Sequence, residues 1–199
     1  MVHDWDGLTA YEEQRAEMIA DHGFDAFAVD LFGKGNRPAT TEARKEATAA
    51  LYNDRERMRE LLAAGLEAAR KNAQGRMMVI GYCFGGSAAL ELARSGTAED
   101  VVGYAIFHGG LTTPDGQSYP GGTPPLLIAH GGAHTSVPIE EVSALQQQLE
   151  QAGVQYEIEI YSGAPHAFTV FGSDRYQERA EELSWQAFLS FMQREMVQN

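Results

Sequence analysis

Cysteine and histidine are the side chains most able to supply a nucleophile and a base near neutral pH, and this chain has one Cys and six His. Cys83 lies in Gly81-Tyr82-Cys83-Phe84-Gly85, which fits G-x-nucleophile-x-G, a strand-to-helix turn with cysteine where serine is commoner. The spacing has a physical reason. A nucleophile pushed out on a strained turn leaves no room for Cβ atoms two residues to either side, so both flanks are glycine. The helix that follows presents free N–H groups and the positive end of its dipole, which favour a thiolate and a developing oxyanion. A lone cysteine is also commonly a small buried hydrophobe, and glycines end many parallel strands. What favours chemistry is His166, in the loop after the last strand and in the right order to serve Cys83 as a base.

The other histidines read as structural. His108 and His130 close strands beside glycines and are expected to bond backbone, and His3 is expected to pack at a strand end. His22 complements a helix C-terminus. Tyr82, Phe107, Phe168 and Phe171 are expected to wall a pocket or fill the core. Arg55, Glu56, Arg57, Arg59 and Glu60 read as a solvated helix face.

The elements that must position these groups follow from pattern. Thr9 to Glu12 is a capping box opening a helix that ends near Gly23. Residues 24–31 read as a strand and 32–38 as a loop. Thr41 to about Ala73 is helical, broken near Tyr52-Asn53-Asp54. A strand at Met77–Ile80 feeds the Cys83 turn and a helix that runs to Arg94. Val101–Phe107 and Leu126–Ala129 are buried strands, and Tyr156–Tyr161 alternates as a strand near an edge. Pro138 starts a helix with Glu140 and Glu141 in its first turn, and Asp174 to about Met196 forms the closing helix. Strands alternating with helices predict a mostly parallel α/β sheet with helices on both faces. In such sheets the ligand crevice lies beyond the carboxyl ends of the strands. Cys83, His108, the 130–136 loop and His166 all follow strand ends, so they should gather on one rim.

Composition narrows the class. At 199 residues one domain with a sizeable core is expected, covering 1–199. The net charge of -13 argues against a nucleic-acid partner. No stretch approaches the ~18 apolar residues a membrane span needs. A single cysteine gives no internal disulfide, and the charged start His3-Asp4-Trp5-Asp6 is no signal peptide, so the expected location is the cytoplasm.

Several stretches together carry a family resemblance. The opening His3-Asp4-Trp5-Asp6-Gly7-Leu8, Ala28-Val29-Asp30-Leu31-Phe32-Gly33, Gly81-Tyr82-Cys83-Phe84-Gly85-Gly86 and Pro165-His166-Ala167-Phe168 resemble the dienelactone hydrolase family of the α/β-hydrolase superfamily. The resemblance implies a three-layer α/β-hydrolase-like sandwich and a cysteine hydrolase of carboxymethylenebutenolidase type that needs no cofactor and no metal. Cys83 would attack the carbonyl of a small-molecule lactone or ester to form an acyl-enzyme. His166 would activate the thiol and later the water. The N–H groups of Trp5 and Phe84 would form the oxyanion hole. Asp4 stands where the family commonly has a glutamate that contacts the resting nucleophile, one methylene longer.

The chain also departs from the family pattern. The family's third triad member is an aspartate in H-G-x-x-D-x-x-V-P, and here the loop reads His130-Gly131-Gly132-Ala133-His134-Thr135-Ser136-Val137-Pro138. His134 thus stands at the acid's position, where a neutral imidazole supplies no negative charge and a protonated one repels a cationic base. Reduced activity is the expectation. Two other readings compete: a non-catalytic scaffold that binds a ligand or partner, and a Cys83/His134/His166 metal site of the kind zinc accepts. Family members also have strands before the His3-Asp4-Trp5 turn, where this chain has Met1 and Val2. Either the sequence is truncated, or the sheet closes up, or another chain fills the gap, and a homodimer through the exposed sheet edge fits the last case. After His166 no arginine occurs before Arg175, which speaks against the family's carboxylate clamp and for a less polar ester or lactone.

Overall fold

A computed structural model describes residues 1–197. The sheet has four parallel strands in the order β1 (Met77–Tyr82), β2 (Val101–Phe107), β3 (Leu126–Gly131) and β4 (Tyr156–Tyr161). Both faces of the inner strands are buried, so these strands are continuous apolar runs, and alternate side chains feed two separate cores. Val79, Tyr104, Ile106, Leu126 and Ile128 face one core with α3 (Arg55–Asn72), α4 (Phe84–Ser95) and α5 (Ile139–Ala152). Ile80, Ala105, Phe107, Leu127 and Ala129 face the other with α1 (Ala10–Ala20) and α6 (Glu178–Val197). This is the three-layer α/β-hydrolase-like architecture the sequence predicts.

Local signals set most boundaries. The capping box at α1 forms, with the Thr9 side chain taking a backbone N–H and Glu12 reaching back to the Thr9 amide at 2.8 Å. The break expected near 52–54 is real: α2 (Thr41–Asn53) ends and Asp54 caps α3, accepting from the Arg57 amide at 3.0 Å.

Three expectations are corrected. Residues 24–31 do not form a strand; only Val29 makes a ladder bridge, to Val2. The reason lies in the partner. Met1–His3 lies between this segment and β1, with the Val2 amide donating to Ile80 (2.7 Å) and the Val29 amide to Met1 (2.8 Å). The Met1 amino nitrogen donates to the Phe27 carbonyl at 2.7 Å. Beside this segment a cavity of about 440 Å³ is lined by Phe24, Ala26, Met77 and Met192 among others. Secondly, α3 is not merely a solvated face. Arg57 and Glu60 pair in solvent, but Arg55 and Arg59 reach the buried Glu91 of α4 at 2.9 and 2.6 Å. Arg94 is a third cation on Glu91, at 3.2 Å. Finally, α6 begins at Glu178, after a loop that the sequence assigned to the helix.

Candidate active site

Cys83 follows β1 directly and caps α4 without a side-chain cap bond, at φ 50° and ψ -111°. Left-handed φ at a non-glycine residue is strained and persists only where the surroundings impose it. Here they do. A Cβ on Gly81 would sit 2.0 Å from the Gly85 carbonyl oxygen, and one on Gly85 would sit 2.3 Å from that of Val2. The turn is held from below, where the Cys83 amide donates to Phe107 at 3.0 Å and its carbonyl accepts from Gly86 at 3.1 Å. The glycines are therefore required by contact, as the spacing predicts.

The other expected residues arrive at the same rim. The 1–3 stub carries Asp4 and Trp5 to the side of Cys83, and the Asp4 carboxyl lies against the thiol despite being shorter than glutamate. The backbone ahead of Asp4 is pinned between Val29 and Ile80, close to Gly85. Burial raises the Asp4 carboxyl to about 7, against the lowering effect of its bonds to Cys83 and Trp5. The Cys83 thiol is pushed well above its ordinary value, first by burial and then by the Asp4 charge. The Trp5 amide donates to Asp4 Oδ1 at 2.5 Å, and the Phe84 N–H engages the Cys83 sulfur. Both expected oxyanion donors are thus engaged within the site itself.

His166, in the loop after β4, pairs with His134 from the loop after β3: Nδ1 of His166 is 2.7 Å from Nε2 of His134. His134 is fixed in turn, with the Val137 amide donating to its Nδ1 at 3.0 Å and the His108 carbonyl 3.4 Å from Nε2. Burial lowers His166 to about 4, and the charges of His134 and Arg175 push the same way. The thiol's partners are Asp4 and Phe84, and that of His166 is His134; the structure brings the two groups to one rim without a hydrogen bond between them.

The remaining histidines are partly as expected. His3 is fully buried, donates from Nδ1 to Asp4 O at 2.6 Å and accepts from the Leu31 amide at Nε2. His108 does not use its ring on backbone; Nε2 meets Thr169 Oγ1 at 2.8 Å, and Nδ1 is buried without a partner. His130 stacks on His134 with ring centroids 5.2 Å apart. Tyr82, Phe107 and Phe168 are core. Among the described residues no three His, Cys, Asp or Glu side chains converge as a metal-ligand set. His134 and His166 present their facing nitrogens to each other. Sequence reasoning passed over two participants: the His108 carbonyl, and Arg175, whose charge is felt by both His134 and His166 although it stands nine positions after His166.

The model of the dienelactone hydrolase family matches residues 1–196. The chain belongs to the dienelactone hydrolase family. It is 28% identical over 208 aligned residues to a carboxymethylenebutenolidase of Rhodococcus opacus, covering 98% of this chain and 79% of that protein. A probable 2-oxo-3-(5-oxofuran-2-ylidene)propanoate lactonase of Bradyrhizobium sp is 26% identical over 195 residues, covering 94% and 79%. Among solved structures, the dienelactone hydrolase-like promiscuous phosphotriesterase P91 from metagenomic libraries matches with a TM-score of 0.86 and 28% identity, covering 98% of this chain and 84% of that one. This family of hydrolases thus accounts for the whole described fold. No helix among the described residues is long and apolar enough to cross a membrane.

Proposed function

We propose that this chain hydrolyses a small lactone or carboxylic ester through an acyl-enzyme on Cys83, with His166 as base, and that it turns over slowly. The observation that supports the reading is the strained Cys83 turn at the head of α4, with His166 in another strand-end loop of the same rim and hydrogen-bonded to His134 at 2.7 Å. Acylation joins the Cys83 sulfur to the substrate carbonyl carbon as the carbon–oxygen bond breaks, and the thiol proton ends on the leaving oxygen, which departs as the alcohol of an ester or stays tethered as the hydroxyl of an opened lactone. Water then releases the acid and regenerates the thiol. The amides of Trp5 and Phe84, which now bond Asp4 Oδ1 and the Cys83 sulfur, would serve the oxyanion once released. His134 offers the imidazolium of His166 no negative charge, and in serine triads converting the acid to its amide lowers turnover ~10⁴-fold. The absence of an arginine between His166 and Arg175 supports a substrate less polar than a dienelactone carboxylate. A non-catalytic ligand-binding role is the second reading, favoured by His134 alone.

The test is steady-state hydrolysis of a short aryl ester, with Cys83→Ala as control. Turnover that disappears in the control is the expected result. Equal background rates in both proteins, and again after His134→Asp, would leave the ligand-binding reading in its place.

A further inference from the structure

We propose that His134 reverses the hydrogen bond that usually orients the base, and so holds His166 as the tautomer with its proton on Nε2. The catalytic meaning of this rests on the reading of Cys83 and His166 given above; the geometry does not.

A backbone amide can only donate, so the Val137 N–H at 3.0 Å makes His134 Nδ1 an acceptor. A neutral imidazole carries one proton, which must then be on His134 Nε2. That nitrogen faces the His108 carbonyl oxygen at 3.4 Å, which can only accept, and His166 Nδ1 at 2.7 Å. One proton fits between two nitrogens at that distance. It belongs to His134, so His166 Nδ1 is the acceptor and the proton of neutral His166 is on Nε2. An aspartate at 134 would do the reverse, because a carboxylate accepts from Nδ1–H and leaves the Nε2 lone pair free. The loop is built for an acceptor at this position, and the imidazole satisfies Val137 in the same way. It pays for that fit by presenting a donor where a carboxylate presents a lone pair.

His134 is therefore a positioning residue. His166 offers a hydrogen from Nε2 instead of a lone pair, and it becomes a base only after a tautomer change that costs His134 the Val137 bond. Protonating His166 is opposed as well, since Nδ1–H would then meet His134 Nε2–H. Deacylation suffers most. There the water oxygen bonds to the acyl carbon, the carbon–sulfur bond breaks, and the water proton must be taken up at Nε2 before it reaches the departing sulfur. Acylation suffers less, because a thiol gives up its proton far more readily than water does.

Two-bond ¹H–¹⁵N correlation spectra of the ring-labelled protein at neutral pH read the tautomers directly. The His134 and His166 signals are assigned by their loss in His134→Asp and His166→Asn. The expected result is Nε2–H and bare Nδ1 for both rings, with His166 switching to Nδ1–H in His134→Asp. If that variant does not fold, His134→Asn, whose oxygen takes the Val137 N–H and whose NH2 then faces Nδ1, should keep His166 protonated on Nε2, and a switch to Nδ1–H there would overturn the proposal. In stopped-flow hydrolysis of an aryl acetate, the native chain should show a burst and a slow steady phase. His134→Asp should raise the slow phase roughly ten- to a hundredfold, the cost of breaking one buried amide bond, and leave the burst nearly unchanged. A protonated Nδ1 on His166, or a signal averaged between the two tautomers, would overturn the proposal even if esters are hydrolysed. The expected tautomers without ester hydrolysis in any variant would support it and refute the proposed function instead.

Discussion

Replacing Asp4 by asparagine should stabilise the protein increasingly as pH rises. Asp4 is 7% exposed, shares its surroundings with Asp6 and Glu12, and burial raises its carboxyl from 3.8 to about 7. A carboxyl raised in the fold contributes its stability fully below the unfolded value and loses it as pH climbs through the folded value. Between 3.8 and about 7 the loss has a ceiling on the order of 4 kcal/mol. Asparagine does not titrate, and its oxygen can still accept the Trp5 amide that Asp4 Oδ1 holds at 2.5 Å. Thermal unfolding of both proteins at acidic, neutral and mildly alkaline pH should show a gap that is small in acid and widens to roughly 5–15 °C above pH 8. The same change removes the charge that, after burial, most raises the Cys83 thiol, so iodoacetamide should alkylate Cys83 faster at pH 7. A gap that stays constant or narrows with pH, or an unchanged alkylation rate, would refute the placing of an uncompensated carboxyl against this thiol.

Two further outcomes follow from contacts elsewhere. Gly85→Ala would drive a Cβ into the Val2 and His3 carbonyl oxygens at 2.3 and 2.6 Å, both backbone, and should cost roughly 1–3 kcal/mol by urea unfolding. Unchanged stability would mean the stub does not press on the turn. Burial lowers His3, His108, His130 and His166, the last two to about 4. Each such histidine adds stability above its unfolded value near 6.5 and loses it as pH falls through the folded value. Stability should therefore drop between pH 6.5 and 4, by up to roughly 1.4 kcal/mol per pH unit for each histidine. Denaturant titrations at pH 7 and 5 with equal midpoints would contradict it.

The sequence by itself determined what depends on neighbours along the chain. Helix caps at Thr9 and Asp54, the full extent of β2, the strand character of Tyr156–Tyr161 and the glycines around Cys83 are local matters of capping, alternation and Cβ room. The gathering of Cys83, His108, His134 and His166 on one rim was legible too, because parallel strands deliver their C-terminal loops to the same edge. Tertiary structure decided whatever depends on a distant partner. Residues 24–31 have strand composition but make only the single bridge from Val29 to Val2, since a ladder depends on the distant segment that pairs with it. Arg55 and Arg59 look like surface charges until Glu91, more than thirty positions away, is found buried beneath them. Asp4 meets Cys83 across nearly eighty positions of sequence, a contact that no side-chain length reveals. The histidine at the acid's position was visible in the sequence, but the direction of its hydrogen bond was not. That direction is set by one backbone amide, Val137, whose donor can point only one way.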